Sequence, residues 1–406
     1  MTDTDTRTDS QAEIPSFPMK RASGCPFDPP PLLGELQSDA PVTRVRLADG
    51  RTPWLVTKYH EQRQVLADRR ISSDIRTPGH PYHSGEDARP VSFITMDDPE
   101  HLRLRRMVTA PFGIKRVEKL RPTIQAIVDD LIDAMLAGPP QADLVEAFAL
   151  PVPSLVISEM LGVPYADHDF FQENSRLMVS RAVSRSESAA GHQRLIDYLT
   201  ELVGAKCVDP GDDLLSELAV RVNDGELTRG DVAEMGTLLL LAGHETTANM
   251  IALGTAALLY NPDQLALLRD SDDPAVVTSA VEELLRYLNI THNGRARVAL
   301  EDIEIGETTV RAGEGLIMAN DIGNRDPDAF DDPDRLDITR DARRHVAFGF
   351  GVHQCLGQPL ARLELQIVYR TLYRRIPTLA LDCDLSDVPF KDDAAVYGVH
   401  ELPVRW

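Results

Sequence analysis

Apolar residues recur along this chain with two different periods. In residues 41–57, PVTRVRLADGRTPWLVT, apolar and polar positions alternate on either side of Asp49-Gly50, which predicts a β-hairpin. From about Pro99 the spacing becomes helical. HLRLRRMVTAPF, VEKLRPTIQAIVDDLIDAML and VPSLVISEMLGV all carry apolar residues three and four positions apart. Further helical patterns cover 167–183, 189–205 and 212–221, separated by turn-forming DPGDD and NDGELT. The longest pattern runs from Arg229 to Tyr260, behind a Thr228 N-cap that Asp231 follows three residues later. About 30 residues of helix span roughly 45 Å, enough to cross a whole globular unit. Within it, MGTLLLLAGHETTANMIALGTAALL is apolar nearly all round, so it is expected to be buried. His244 and Glu245 interrupt that stretch at its centre, and a buried polar pair calls for a functional reason.

Beyond Pro262 a helix is expected over 276–288, then short strands at 295–300, 301–305, 308–313 and 315–320. The glycine-spaced FGFGVHQCLG (348–357) runs into a helical pattern over 359–376. The fold class is therefore mainly α: a helix-rich protein with small β-sheets and one long central helix. Residues 1–40, rich in Pro, Asp, Ser and Thr, read as a loosely held N-terminal arm, and 70–95 as a long surface loop. No linker follows residue 40, so 41–406 is expected to form one domain.

Composition narrows the function. A net charge of −22 argues against a general nucleic-acid binder. The four cysteines, Cys25, Cys207, Cys355 and Cys383, are far apart and form no CxxC pair, which suggests neither a disulfide scaffold nor a cysteine zinc site. The N-terminus has no apolar signal region, and the apolar stretches are too short to span a bilayer, so a cytoplasmic protein without a membrane segment is expected.

Cys355 has the most telling surroundings. Gly349 and Gly351 allow the backbone to approach a flat ligand closely, and Cys355 precedes a helix opening near Gly357 and Pro359. Free N–H groups and the helix dipole at that end would favour a thiolate. Taken locally, a structural cysteine beside a helix start is the favoured reading, and a hydrolase-type nucleophile would need a paired histidine, for which His353 is near in sequence.

FGFGVHQCLG resembles the heme-binding signature of the cytochrome P450 superfamily. Three further segments resemble the family's motifs in the family's order: HLRLR (101–105), AGHETT (242–247) and EELLR (282–286). The likeness covers about residues 40–406. Within the superfamily it resembles the soluble actinobacterial hydroxylases that act on statins, secosteroids, polyketides and xenobiotics.

The resemblance implies a heme-thiolate monooxygenase carrying heme b, with Cys355 as the iron ligand; a thiolate pushes electron density that favours O–O cleavage. It implies that His101, Arg105, Arg297 and His353 receive the heme propionates, and that Phe348, Gly349, Gly357, Ala242 and Gly243 line the heme. It assigns proton delivery to Glu245 and Thr246, with Gly243 leaving room for dioxygen. Glu283, Arg286 and Arg335 are implied to form a buried structural network. Substrate-contacting positions are implied at Phe93, Ile94, Met178, Val179, Leu238, Leu239, Ala242, Leu288, Ile290 and Val396, an apolar set that suits a bulky hydrophobic small molecule. Epoxidation, oxidative coupling and peroxide-driven peroxygenase chemistry are the alternatives within the same family. No flavin or nicotinamide region is visible, so a ferredoxin and an NAD(P)H-dependent ferredoxin reductase are the implied electron donors, meeting a basic patch that includes Arg343, Arg344 and Arg362. A monomer is expected.

Overall fold

The computed structural model describes residues 14–22, 24–85, 92–179, 183–392, 394 and 396–406, without the side chains of a few helix residues, Val179 among them. The central helix spans Arg229–Tyr260 and starts at a capping box: the Thr228 N–H donates to Asp231 Oδ2 at 2.9 Å, and the Asp231 N–H donates to Thr228 Oγ1 at 3.1 Å. Such a cap contributes about 1 kcal/mol and sets where the helix begins. Helices Pro151–Leu161, Arg185–Lys206 and Gln358–Arg375 all pack against it. At the Gln358–Arg375 crossing a Cβ on Gly254 would overlap the Tyr369 hydroxyl, which donates to the Met250 carbonyl at 2.6 Å. Glycine at 254 is therefore what lets these two helices meet.

The hairpin of 41–57 forms as expected, pairing β1 (Val42–Arg44) with β2 (Trp54–Val56). With β3 (Ile71–Ser72), β5 (Arg295–Ala299) and β8 (Gly315–Met318) it builds a five-stranded sheet of order β1-β2-β8-β5-β3, in which only the β2–β8 pair is parallel. Side chains alternate between its faces. Leu316 and Met318 pack with Val56 on one face, while Ile317 packs with Leu55, Val45 and Phe17 on the other. The strand β4 (Gln141–Asp143) joins β9 (Ala380–Leu381) and β10 (Pro403–Arg405) in a second sheet, and β6 (Ile303–Ile305) with β7 (Thr308–Val310) makes a third.

The loosely held arm needs correction. Residues 1–13 lie outside the described residues, but from residue 14 the chain is packed. The Phe17 N–H donates to the Arg46 carbonyl at 2.8 Å, and Phe17 and Met19 are buried. Pro31–Asp39 is a helix whose Leu33 is only 1% exposed. The proline content of residues 1–40 suggested a loose arm, yet proline at a first helical position, as at Pro31, suits a helix start. The expected loop 70–95 contains the short β3 strand and a 3₁₀ turn at Ser92–Thr95; residues 86–91 lie outside the described set.

Candidate active site

Cys355 lies at the end of a loop folded back on itself, its N–H donating to the Phe348 carbonyl at 2.8 Å. Gly349 and Gly351 both have positive φ, +74° and +75°, and a Cβ on Gly351 would overlap the Leu66 carbonyl oxygen. Their conformations turn the chain so that the Cys355 thiol opens onto free surface at the start of helix Gln358–Arg375. The dense protein behind it still matters: burial pushes the thiol pKa up, while the Gly357 N–H and the cations Arg295, Arg105 and Arg362 pull it down without prevailing. The expected bias towards thiolate is therefore not met by the helix end alone. Metal coordination deprotonates a thiol outright.

Around this thiol sit cations without acids. Arg105 donates to the Gln354 carbonyl at 2.5 Å and Arg297 to the Ala296 carbonyl at 2.7 Å. Arg295 donates to Asn320 Oδ1 at 2.5 Å and to the Ala347 carbonyl at 2.8 Å. None of the three has a carboxylate partner among the described residues, although most other arginines do. Burial, with Arg295 as a like-charged neighbour, brings Arg297 down to about 10, and burial brings Arg295 to about 10 as well. His101 is buried, with Nδ1 3.0 Å from Asp98 Oδ1 and Nε2 without a partner. Its ring lies 4.1 Å from that of His353. Burial, then Arg297, His101 and Arg105, push His353 down to about 3, so it is a neutral hydrogen-bonding group at ordinary pH. A thiol, three arginines without acids and two histidines, one with an orphaned ring nitrogen, fit a flat ligand with a metal at its centre and two carboxylates at its rim.

The central helix is buried on almost every side, but Leu238, Ala242 and Thr246 keep accessible surface. They are spaced i, i+4, i+8 and so form one stripe. The Thr246 hydroxyl donates to the Ala242 carbonyl at 2.6 Å, which commits its proton and leaves its lone pairs to accept. Glu245 points into protein. Its Oε1 accepts from Asn249 Nδ2 at 2.9 Å and from Lys391 Nζ at 2.9 Å. Burial opposes its ionisation, but Lys391, Asn249 and His244 together outweigh burial and hold the carboxyl below its usual range. A Cβ on Gly243 would press on Ile157, so its small size also serves contact with helix Pro151–Leu161.

The adjacent acids Glu282 and Glu283 serve two separate networks. Glu283 is fully buried and accepts from Arg286 Nε and Nη2 at 2.7 and 2.8 Å, from the Asp337 N–H at 2.9 Å and from Arg340 Nε at 3.2 Å. Arg286 also donates to the carbonyls of Asn324 and Pro333. The third charged member is thus Arg340 and not Arg335, which is exposed and offers only its backbone carbonyl. The turn around Asp337 brings the chain back so that the later arginine reaches Glu283. Glu282 was not singled out in the sequence. It accepts from Arg362 at 2.6 and 3.1 Å and lies 3.1 Å from His345 Nε2. Burial resists its ionisation, but His345 and Arg362 overcome this and bring it to about 2. Arg362 also lies over the Phe348 ring, so this network braces the cysteine loop from behind. That commitment removes Arg362 from the expected docking patch. Arg343 is paired with Asp341, and Arg344 donates to the Ala329 carbonyl.

The expected substrate positions divide. Ile94 is 46% exposed, and Met178, Leu238, Ala242, Ile290 and Val396 are accessible to some degree. Phe93, Leu239 and Leu288 are instead buried members of the main core. One step along a helix turns the side chain by about 100°, which takes Leu239 off the accessible stripe. The Val179 side chain lies outside the described residues.

A family model described as Cytochrome P450 matches residues 200–377. The chain is 55% identical over 98% of both chains to Cytochrome P450 GfsF of Streptomyces halstedii. It is 45% identical to the vitamin D3 dihydroxylase of Streptomyces griseolus, covering 100% of each. The crystal structure of GfsF aligns with a TM-score of 0.92 at 56% identity, over 97% of this chain and 100% of that one.

Proposed function

The chain belongs to the cytochrome P450 family, and we propose that Cys355 ligates the iron of its heme b, that His101, Arg105, Arg297 and His353 hold the propionates, and that the substrate is a bulky hydrophobic small molecule. The protein is a P450 monooxygenase. Bound heme supplies dioxygen activation: with two electrons and two protons, one oxygen atom enters a substrate C–H bond and the other leaves as water.

The observation that carries the assignment is the set of cations without acids around the Cys355 thiol. In a chain with 64 acidic residues, arginines held at depth without a carboxylate are costly unless a ligand brings the counter-charge. Thr246 offers its acceptor lone pairs at the edge of the accessible stripe, and the adjacent Glu245 carboxylate relays protons to it. Leu238, Ala242, Ile290 and Val396 give an apolar wall that orients a hydrophobic substrate. The relative named for vitamin D3 supports a substrate of that size and polarity. Electrons come from a ferredoxin and its NAD(P)H-dependent reductase, and the enzyme acts as a cytoplasmic monomer.

Two measurements test this reading. Reduced protein under carbon monoxide should give the thiolate-specific difference band, and Cys355→Ser should abolish it. Thr246→Ala should still accept electrons but divert them to peroxide, so that product per reductant falls while reductant consumption continues. Unchanged coupling in Thr246→Ala would remove Thr246 from the mechanism.

A further inference from the structure

The C-terminal segment brings an unanticipated lysine to the central helix. Phe390 bridges antiparallel to Val399, and the Lys391 N–H donates to the Gly398 carbonyl at 2.9 Å, so the pairs 390–391 and 398–399 face each other as in a hairpin. This hairpin rests directly on the helix: a Cβ on Gly398 would overlap the Asn249 side-chain amide. Only glycine allows an approach that close. Lys391 Nζ thereby reaches Glu245 Oε1 at 2.9 Å, with both side chains largely buried. Asn249 donates to the same oxygen and also to the Glu245 carbonyl at 2.8 Å. Among the described residues no hydrogen bond joins Glu245 to Thr246.

We propose that Lys391 is a positioning residue for the oxygenation reaction: with Asn249 it clamps Glu245 away from Thr246 as a carboxylate, and the charge so held governs proton delivery. The proposal rests on the reading of Glu245 and Thr246 as the proton-delivering pair. The charged and titratable groups acting on Glu245 are Lys391 from the hairpin and His244 from its own helix. His244 is itself held neutral by burial, so Lys391 is the group that keeps the carboxyl ionised. The same hairpin carries Val396, which bridges to Thr291, and Tyr397, whose N–H donates to the Ile290 carbonyl at 2.8 Å. Ile290 and Val396 belong to the apolar wall.

Without the lysine, only burial and weak neighbours act on Glu245, and burial favours the neutral acid. In Lys391→Met holoenzyme, infrared difference spectra against a Glu245→Gln background should show a protonated-carboxyl C=O band at pH 7. Wild type and Lys391→Arg should lack it. The pH profile of product per reductant should move upward by at least one unit in Lys391→Met, and Lys391→Arg should restore it. Lys391→Gln keeps a donor without the charge and should behave like Lys391→Met, so it serves if the methionine variant fails to fold. Absence of the band in both variants overturns the clamp. A band with an unmoved profile also overturns the proposal, by showing that the charge of Glu245 does not govern delivery. Normal coupling in Glu245→Gln alone would instead overturn the reading of Glu245 on which the clamp rests.

Discussion

Glu283→Gln is the sharpest test of how the cysteine loop is held. Glu283 and Arg286 are both 0% exposed, so neither can be rescued by water. Three of the four hydrogen bonds accepted by the carboxylate fall on Oε1, from Arg286 Nη2, the Asp337 N–H and Arg340 Nε; Arg286 Nε meets Oε2. Glutamine can keep its oxygen at the Oε1 position, but its amide group then faces Arg286 Nε, donor against donor. Two guanidiniums, one fully buried, are left without a counter-charge. Breaking a buried pair from one side costs about 3–5 kcal/mol. Adding Arg286→Met removes the buried cation but strips donors from the carbonyls of Asn324 and Pro333, so the double variant should be less destabilised than the sum of the two single changes. Urea unfolding followed by circular dichroism gives the stability change, and the carbon-monoxide band reports whether the thiolate loop yields first. A loss under about 1 kcal/mol for Glu283→Gln would refute the view that this pair is energetically closed to solvent.

Two other changes test separate parts of the framework. Glu364 is buried, its Oε2 has no partner, and burial alone raises its carboxyl well above the ordinary 4.5. Above pH 4.5 the unfolded chain releases this proton while the folded chain keeps it, so the group subtracts stability there and contributes nothing below. Glu364→Met should therefore raise the thermal midpoint at pH 7, by an amount equivalent to about 1–3 kcal/mol, and the gain should shrink as the pH falls through 4.5; an equal gain at pH 3.5 would count against the assignment. Gly351→Ala combines a positive φ with overlap on the Leu66 carbonyl, so the variant should lose the thiolate-specific carbon-monoxide band even where it still folds; a normal band would show that the loop can relax.

Much of this arrangement was legible in the sequence because its signals are local. The capping box at Thr228 marked the start of the central helix, and Asp49-Gly50 marked the first hairpin. Most residues proposed for the heme site lay in short motifs whose order along the chain carried the resemblance. What escaped depended on long-range return of the chain. Arg335 and Arg340 are both arginines after an Asp-rich turn, and only the fold decides which one swings back to Glu283. Leu238 and Leu239 are chemically alike on a helix with no polar face, so no amphipathic signal could separate them. Lys391 is 146 residues from Glu245, in a segment whose composition suggested only turns. Pro30 and Pro31 hid a helix because proline both breaks helices and begins them.

The arginines without acids bear on how the protein is made. A newly made chain must bring Arg105, Arg295 and Arg297 together beside Cys355, and their mutual repulsion works against closing that region until anionic groups arrive. On the proposed reading, in which heme propionates are those groups, maturation would be tied to cofactor supply. A cell short of heme would accumulate chains that are helical around Arg229–Tyr260 but loosely closed near Cys355, open to proteolysis there. The yield of intact protein, and not only the fraction that is active, would then track heme synthesis.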